Sequence, residues 1–233
     1  MKAVILAGGL GTRLKLFTEV IPKSLLPIGE KTLLEVQIEQ LERNGFDEIY
    51  LALNYKADYI ESYLKDGSKY NVKLYYSVEN KTLGTCGPIT LLKDKLTEPF
   101  LLINGDILTK ANFKDIYKFA VKFEESPLTI ITKIITFPFR FGSIETNGNY
   151  ITKVTEKPNL KFEILAGIYI LKPDIFNYLS YNEYFGIDDL IKKLLELKIP
   201  MTRYLLKDYW IDIGLVEDYE KARKVYNDKF EGK

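Results

Sequence analysis

The 233-residue chain contains no histidine, one cysteine, one tryptophan and two methionines. The missing histidine excludes Ser-His and Cys-His nucleophilic catalysis, histidine-ligated zinc and imidazole proton shuttling at once. A single cysteine, Cys86, excludes an intrachain disulfide and a cysteine-cluster metal site, and it has no histidine to activate it. An excess of charge of either sign is also missing. Thirty-three basic against thirty-two acidic residues leave +1, so no global field draws the chain to nucleic acid or to an anionic membrane, and any anion must be held locally. No apolar run approaches the length of a membrane span; the opening run, Ala3 to Ala7, is too short for a signal-peptide core and ends in glycines, so a cytoplasmic location is expected. Carboxylates, lysines and arginines must carry any chemistry, which suits a reaction whose nucleophile is already ionised.

What is present starts with ordinary globular proportions, 46% hydrophobic and 28% charged, in a chain long enough for one large core. Strand and helix patterns alternate through the first half. Strands are expected at Ala3–Leu6, Glu48–Leu53, Lys73–Ser77, Phe100–Ile103 and Leu128–Thr136. Helices are expected at Leu33–Asn44, Ala57–Lys65, Pro88–Asp94 and Phe113–Glu124. That alternation predicts an α/β, doubly wound, mostly parallel mixed sheet. A smaller β-rich lobe should follow, because Ser143–Glu145 and Tyr150–Thr155 flank Asn147-Gly148, a strong hairpin signal. Ile164–Leu171 reads as a further strand, Pro173–Leu179 and Ile187–Leu197 as helices, and Val216–Asp228 as a helical tail. With no repeat, low-complexity tract or linker, a single domain is expected, with one half to about residue 110, another at about 111–215, and a C-terminal helix over 216–233.

Leu6-Ala7-Gly8-Gly9-Leu10-Gly11-Thr12-Arg13-Leu14 stands directly behind the first strand. Three glycines in four positions let backbone N–H groups approach an anion, and Arg13 and Lys23 supply fixed positive charge beside it. The loop fits neither of the better-known nucleotide patterns. Counting Gly-x-Gly-x-x-Gly from Gly9 puts Leu14 in the third glycine place, and no register provides a P-loop's Gly-x-x-x-x-Gly-Lys-Ser/Thr. A tight strand-to-helix turn without a ligand is the alternative.

Asn104-Gly105-Asp106 follows the strand Phe100–Ile103, placing a carboxylate at the carboxyl end of a sheet strand, where open α/β folds keep their ligands. An Asx-turn or a helix-capping aspartate is the competing reading. Asp212 lies in the apolar run Tyr209-Trp210-Ile211-Asp212-Ile213-Gly214, where a lone acid needs a cation or donors. Two strand-borne aspartates suit Mg²⁺, which one or two carboxylates hold together with substrate phosphates. Glu156-Lys157-Pro158 ends the hairpin strand; alternation puts the acid and the base on opposite faces, one toward a hydroxyl-rich ligand and one toward a phosphate, and an ordinary surface ion pair is the alternative.

Together these residues resemble the sugar-1-phosphate nucleotidyltransferases, the nucleotide-sugar pyrophosphorylases, along nearly the whole chain. The blocks are Gly8 to Leu14, Thr18, Pro22-Lys23, Pro27-Ile28, Leu83-Gly84-Thr85, Asn104-Gly105-Asp106, Phe141-Gly142, Glu156-Lys157-Pro158, Ala166-Gly167 and Trp210 to Gly214. The resemblance implies a Rossmann-like catalytic domain without the β-helix module that many members add, and substrates that are a nucleoside triphosphate and a sugar 1-phosphate. A homo-oligomer is compatible with it. It implies that Arg13 and Lys23 hold the triphosphate as the catalytic cations. Leu6, Ala7, Gly8, Gly9, Gly11, Thr12, Glu79, Gly84 and Thr85 would bind the nucleotide, and Asp106 and Asp212 the Mg²⁺. Asn104, Gly142, Glu156, Lys157 and Gly167 would serve the sugar phosphate, with Lys157 on its phosphate. Two loop positions depart from the family, Leu16 and Ser24 standing where proline is usual.

Glu79 falls where family members contact the base. Guanine offers two adjacent donors that a carboxylate matches, whereas thymine and uracil offer one donor between two acceptors, so GTP is favoured, a solvated strand-end acid being the alternative reading of Glu79. The look of the Ser77-Val78-Glu79 and Leu83-Gly84-Thr85 blocks is nearest the mannose-1-phosphate guanylyltransferase branch, with heptose and other hexose phosphates open. The alternatives are a glucose-1-phosphate thymidylyl- or uridylyltransferase, a phosphocholine cytidylyltransferase-like protein, and a non-catalytic regulatory relative. Retention of all four charged residues argues against the last.

Overall fold

The computed structural model describes residues 1–9, 11–14 and 18–230. In chain order its strands are β1 (Lys2–Leu6), β2 (Pro27–Ile28), β3 (Lys31–Thr32), β4 (Glu48–Leu53), β5 (Lys73–Val78), β6 (Phe100–Asn104), β7 (Ile107–Thr109), β8 (Leu128–Pro138), β9 (Ser143–Asn147), β10 (Tyr150–Thr155), β11 (Asn159–Leu171), β12 (Thr202–Leu205) and β13 (Trp210–Asp212). The helices are α1 (Leu33–Arg43), α2 (Ala57–Leu64), α3 (Phe113–Ala120), α4 (Ile187–Glu196) and α5 (Val216–Lys229).

Strict alternation in the short central strands decides the layering. Ala3, Ile5, Leu101 and Ile103 point to one face, where Leu34, Ile38 and Leu41 of α1, Ile60 of α2 and Ile116 of α3 cover them. Val4, Phe100 and Leu102 point to the other, against Ile89, Ile175, Phe176 and Leu190. Both faces are dry, so the central strands read as continuous apolar runs. The sheet has seven strands in the order β12-β8-β11-β6-β1-β4-β5. Pairing is parallel throughout except that β11 runs antiparallel to both β8 and β6.

That order places a topological switch between β1 and β6. After β1 the chain builds outward through β4 and β5, then returns to lay β6 on β1's other side. The crevice beyond the carboxyl ends of such a strand pair is where open α/β sheets hold ligands, and Leu6 and Asn104, paired in register, form its floor.

Helix α1 shows how local sequence sets an element. Thr32 caps it, accepting from the Glu35 N–H at 3.2 Å while the Glu35 carboxylate accepts from the Thr32 N–H at 2.8 Å. Asn44 caps its far end and Gly45 turns the chain. Burial of Leu34, Ile38 and Leu41, each fully enclosed, contributes about 1.5–3 kcal/mol per side chain.

Several boundaries depart from expectation. Pro88–Leu92 and Pro173–Tyr178 are 3₁₀ turns rather than α-helices. In the first, the Thr90 hydroxyl and N–H both bond to the Gly87 carbonyl, which closes the chain three residues apart instead of four. Helix α3 stops at Ala120, and the chain turns through Phe123 and Ser126 before Pro127, where helix is disfavoured. Strands β2, β3, β7 and β12 are too short to show an alternation of their own. The Asn147-Gly148 hairpin forms as β9 and β10. It and the paired ends of β8 and β11 make a β-rich projection on which Phe137, Phe141, Ile144, Tyr150 and Phe162 are exposed. Among the described residues no helix is long and apolar enough to cross a membrane.

Candidate active site

The two aspartates become neighbours through a pairing that neither run announces. Strand β13 pairs antiparallel with β7, setting Asp212 opposite Ile107, and the Ile213 N–H donates to the Asp106 carbonyl at 2.9 Å. Side chains 106 residues apart in sequence therefore project from one two-stranded ladder. Trp210 locks that ladder to the main sheet by donating its indole N–H to the Ala166 carbonyl at 2.8 Å.

The turn carrying Asp106 is held from beneath by Gln37 of α1, which is buried. Its amide donates to the carbonyls of Asn104 at 3.0 Å and Ile107 at 2.7 Å. Sequence reading missed this residue, although a signal existed: Gln37 stands on the apolar stripe of Leu34, Ile38 and Leu41, where a polar side chain needs a dedicated partner. From above, the Gly105 N–H donates to the Leu6 carbonyl at 2.9 Å, tying the Asp106 turn to β1.

Lys23 reaches the same turn. Its Nζ lies 2.6 Å from Asp106 Oδ2, an ion pair with side chains only 12% and 23% exposed. Arg13, on the 3₁₀ turn Thr12–Leu14, approaches from the glycine loop. A Cβ built on Gly214 would meet Arg13 Nη1 at 3.3 Å and Asp212 Oδ1 at 3.5 Å, so arginine and aspartate converge over that glycine. Gly11 has φ +61°, and Thr18 closes the loop by donating to the carbonyls of Gly11 at 2.9 Å and Leu14 at 3.2 Å. Leu10 and Leu16 lie outside the described residues, as does the side chain of Thr12.

Electrostatically the centre is unfinished. Asp106 Oδ1 and Asp212 Oδ1 are buried without a hydrogen-bond partner among the described residues. Burial, then the nearby Asp106 carboxylate, pushes the Asp212 carboxyl up to about 6, against the opposing pull of Lys23 and Arg13. The set is all oxygen donors on the carboxylate side, with one orphaned oxygen on each aspartate. That suits a hard divalent cation completed by phosphate oxygens and water. Among the described residues no group of three or more acidic, cysteine or histidine side chains could hold a metal on its own.

Two adjoining recesses meet here. One, of about 240 Å³, is lined by Leu6, Gly8, Gly9, Ala52, Asn54, Glu79, Thr82, Gly84, Thr85, Asn104 and Asp106. The other, of about 200 Å³, is lined by Gly9, Gly11, Arg13, Leu14, Lys23, Asp106 and Gly214. Gly9 and Asp106 border both, so a base-sized hollow continues into a cationic one. Glu79 is fixed in the first by the Leu83 N–H, which donates to its Oε2 at 2.8 Å; burial raises its carboxyl above the ordinary value, and that bond opposes the rise. Thr85 does double duty, since its hydroxyl also accepts from the Ile187 N–H that opens α4. Asn54 and Thr82 join this wall without any sequence signal. A larger cavity of about 630 Å³ lies between α1, Lys110–Asn112 and α5, and contains none of the predicted residues.

The sugar-side residues divide. Gly167, with φ +67° at the irregular stretch of β11, lies where a Cβ would meet the Asn104 amide nitrogen at 2.8 Å, so it adjoins Asn104, which borders the first recess, without lining either recess itself. Gly142, Glu156 and Lys157 do not line either recess. The expectation that Glu156 and Lys157 face opposite ways is overturned. Strand β10 ends at Thr155, Lys157 turns to φ +44°, and the two exposed side chains approach each other at 3.9 Å. Cys86 is buried, and burial pushes its thiol up to about 12, which removes it as a nucleophile.

The family model described as nucleotidyl transferase matches residues 2–229. The chain is 36% identical over 225 residues to the D-glycero-alpha-D-manno-heptose 1-phosphate guanylyltransferase of Campylobacter jejuni, covering 94% of this chain and 97% of that one. It is 32% identical over 242 residues to the probable mannose-1-phosphate guanylyltransferase 1 of Oryza sativa subsp. japonica, covering 100% of this chain but 66% of that protein, so it spans about two-thirds of the length of that relative. Among solved structures, HddC from Yersinia pseudotuberculosis complexed with GMP-PN superposes with a TM-score of 0.75 at 32% identity, covering 97% of this chain and 99% of the other. The chain belongs to the nucleotidyl transferase family.

Proposed function

We propose that this nucleotidyl transferase family member moves a nucleotidyl group from GTP to a mannose- or heptose-type sugar 1-phosphate, forming a nucleotide sugar and pyrophosphate. The observation that carries the reading is the pair of adjoining recesses sharing Gly9 and Asp106, one bordered by Glu79 and the other by Arg13 and Lys23. A guanine ring fits the first by chemistry, its N1–H and N2 amine facing the carboxylate of Glu79. The triphosphate then runs over Gly8, Gly9 and Gly11 into the cationic recess. The guanylyltransferase names of the C. jejuni and rice relatives and the GMP-PN complex of the Yersinia protein support the choice of base.

The reaction needs little from the protein beyond placement and charge. A nonbridging oxygen of the sugar 1-phosphate, already anionic, attacks the α-phosphorus in line; the bond from the α-phosphorus to the bridging oxygen breaks, and its electron pair leaves with pyrophosphate. No general base is required, in keeping with the absence of histidine. Arg13 and Lys23 neutralise the departing charge. Lys23 pairs with Asp106 in the free protein, so nucleotide binding would draw its ammonium from carboxylate to phosphate. Asp106 and Asp212 would hold Mg²⁺, whose chemistry when bound is to offset triphosphate charge. Asn104 and Gly167 would border the sugar, with Gly142, Glu156 and Lys157 on the projecting hairpin side.

Pyrophosphate release is the test, crossing five nucleoside triphosphates with mannose, heptose, glucose and amino-sugar 1-phosphates and phosphocholine, with and without Mg²⁺. GTP with a manno-configured sugar phosphate should give the highest kcat/KM, and Asp106→Ala should slow release by about 10³-fold. A preference for UTP or dTTP would overturn the role given to Glu79. Absence of Mg²⁺-dependent release from every pair would overturn the enzymatic reading.

A further inference from the structure

Helix α1 and its C-cap carry three amide side chains, Gln37, Gln40 and Asn44, spaced three and four residues apart along one face, and the proposed reaction uses none of them. All three bind the main chain of a single segment, the one that carries Asp106. Gln37 Nε2 donates to the carbonyls of Asn104 at 3.0 Å and Ile107 at 2.7 Å, Gln40 Nε2 donates to the Ala111 carbonyl at 2.9 Å, and Asn44 Oδ1 accepts from the Lys114 N–H at 3.2 Å. The carbonyls held by Gln37 bracket Asp106, whereas Ala111 and Lys114 lie past the end of β7 at Thr109. Carbonyls can only accept, so the Gln37 amide must present its NH₂ to both. Its Oε1 is then left buried without a hydrogen-bond partner among the described residues. On a 2% exposed side chain that is unfavourable, and an apolar residue would fill the same stripe without it.

The two carbonyls belong to different parts of the fold. Asn104 ends β6 in the seven-stranded sheet, while Ile107 begins β7 and stands opposite Asp212 in the β7–β13 ladder. One amide nitrogen therefore spans the junction at which the sheet hands over to the ladder. Around it the Gly105 N–H is tied to the Leu6 carbonyl at 2.9 Å and the Asp106 carbonyl to the Ile213 N–H at 2.9 Å. Without the amide, the Asn104 and Ile107 carbonyls would be free to separate, and the ladder bearing Asp212 could shift against the turn bearing Asp106. We infer that Gln37 is a positioning residue that fixes the Asp106 and Asp212 carboxylates relative to each other by holding this junction closed. It touches neither carboxylate and acts through the backbone, as an outer group that orients metal-binding side chains does. Gln40 makes a bond of the same kind to the same segment beyond the ladder, so its contribution is to stability alone.

The role rests on the proposed metal pair, and the experiment separates the two. Mn²⁺ is titrated by calorimetry and electron paramagnetic resonance into wild type, Gln37→Met, Gln37→Glu and Gln40→Met, each holding an α,β-methylene form of the triphosphate that the release assay selects. Melting temperatures and sugar 1-phosphate kinetics are measured alongside. Methionine keeps the length of glutamine but has no donor; glutamate keeps its shape and donates at most one hydrogen. Both Gln37 variants are expected to lose Mn²⁺ affinity by about 10-fold, with a lower kcat and an unchanged KM for the sugar phosphate. Gln40→Met is expected to melt at a lower temperature than wild type while keeping its Mn²⁺ affinity and kcat. Wild-type Mn²⁺ affinity in a folded Gln37 variant would overturn the inference and leave the enzymatic reading standing. An equal loss of affinity in Gln40→Met would overturn it too, by showing that any loosening of the segment has this effect. Failure of both Gln37 variants to fold would likewise overturn it, making the side chain a requirement of the fold. Failure of the wild type itself to bind Mn²⁺ with nucleotide would overturn the metal pair.

Discussion

Two clusters of buried acid in this protein have opposite characters. Glu35, at the start of α1, is 4% exposed and fully provided for: the Thr32 N–H, the hydroxyls of Thr32, Tyr63 and Tyr70, and the Lys69 ammonium all donate to its carboxylate. Burial alone would raise its pKa, but those donors outweigh it and hold the group down to about 2. Asp106 has one lysine, Lys23, at hydrogen-bond distance; among the described residues it and Asp212 each keep a buried oxygen without a hydrogen-bond partner, and burial carries Asp212 the other way, to about 6. The first arrangement ties a helix start to its neighbours. The second leaves attraction unspent, and that is the condition under which a cation or a phosphate-bound metal gains most from arriving.

If the comparison is right, the largest effect comes from removing the acid that both recesses share. Asp106→Ala should slow pyrophosphate release by about 10³-fold while the melting temperature stays level or rises, measured by differential scanning fluorimetry beside the release assay. A matching fall in melting temperature would erase the distinction. Lys23→Met comes next, with a loss of about 10²-fold in kcat/KM, equivalent to about 3 kcal/mol of transition-state stabilisation. That loss should appear for the nucleotide, since the lysine's proposed partner in the reaction is the triphosphate.

Glu35→Gln should do the reverse, costing about 2 kcal/mol of stability, with kcat unchanged below the melting transition. Its pH dependence has a definite sign. The folded-state pKa lies below the ordinary 4.5, so Glu35 contributes stability above pH 4.5 that disappears as pH falls toward 2. The gap between wild type and variant should therefore close on acidification in denaturant titrations. Asp212→Asn is the smallest effect. Because the folded-state pKa is raised above 3.8, ionisation works against the fold as pH climbs through about 6. The variant should be more stable than wild type at pH 8 by about 1 kcal/mol, a figure reduced for the partial solvation of the carboxyl, and equal to it at pH 4. Equal stability at both pH values would show that Asp212 is better compensated than its orphaned oxygen implies.

Much of the architecture is legible in the chain because burial on both faces demands uninterrupted apolar runs, and Ala3–Leu6, Glu48–Leu53 and Phe100–Ile103 cannot be mistaken for anything else. The glycine loop and Asn104-Gly105-Asp106 are legible for a related reason: each follows one of those runs directly, so its position at a strand end is settled locally. Glu156 and Lys157 misled because alternation was extended two residues past the strand, where Lys157 adopts a positive φ that breaks the period. Gln37 drew no notice, since its role depends on what stands across from it, the carbonyls of Asn104 and Ile107, rather than on its neighbours in sequence.

By itself, then, the sequence determined the α/β class, the strand-end position of the anion loop, and the restriction of any chemistry to carboxylates and cations, because these follow from composition and short-range pattern. Tertiary structure decided the rest. The β7–β13 pairing brings Asp212 beside Asp106, Lys23 reaches across to the same turn, and Gln37 supports it from within the core. No local rule encodes those meetings. They arise because the return of β6 to the far side of β1 opens a crevice there, and the chain's later segments close it with the polar atoms they happen to carry past.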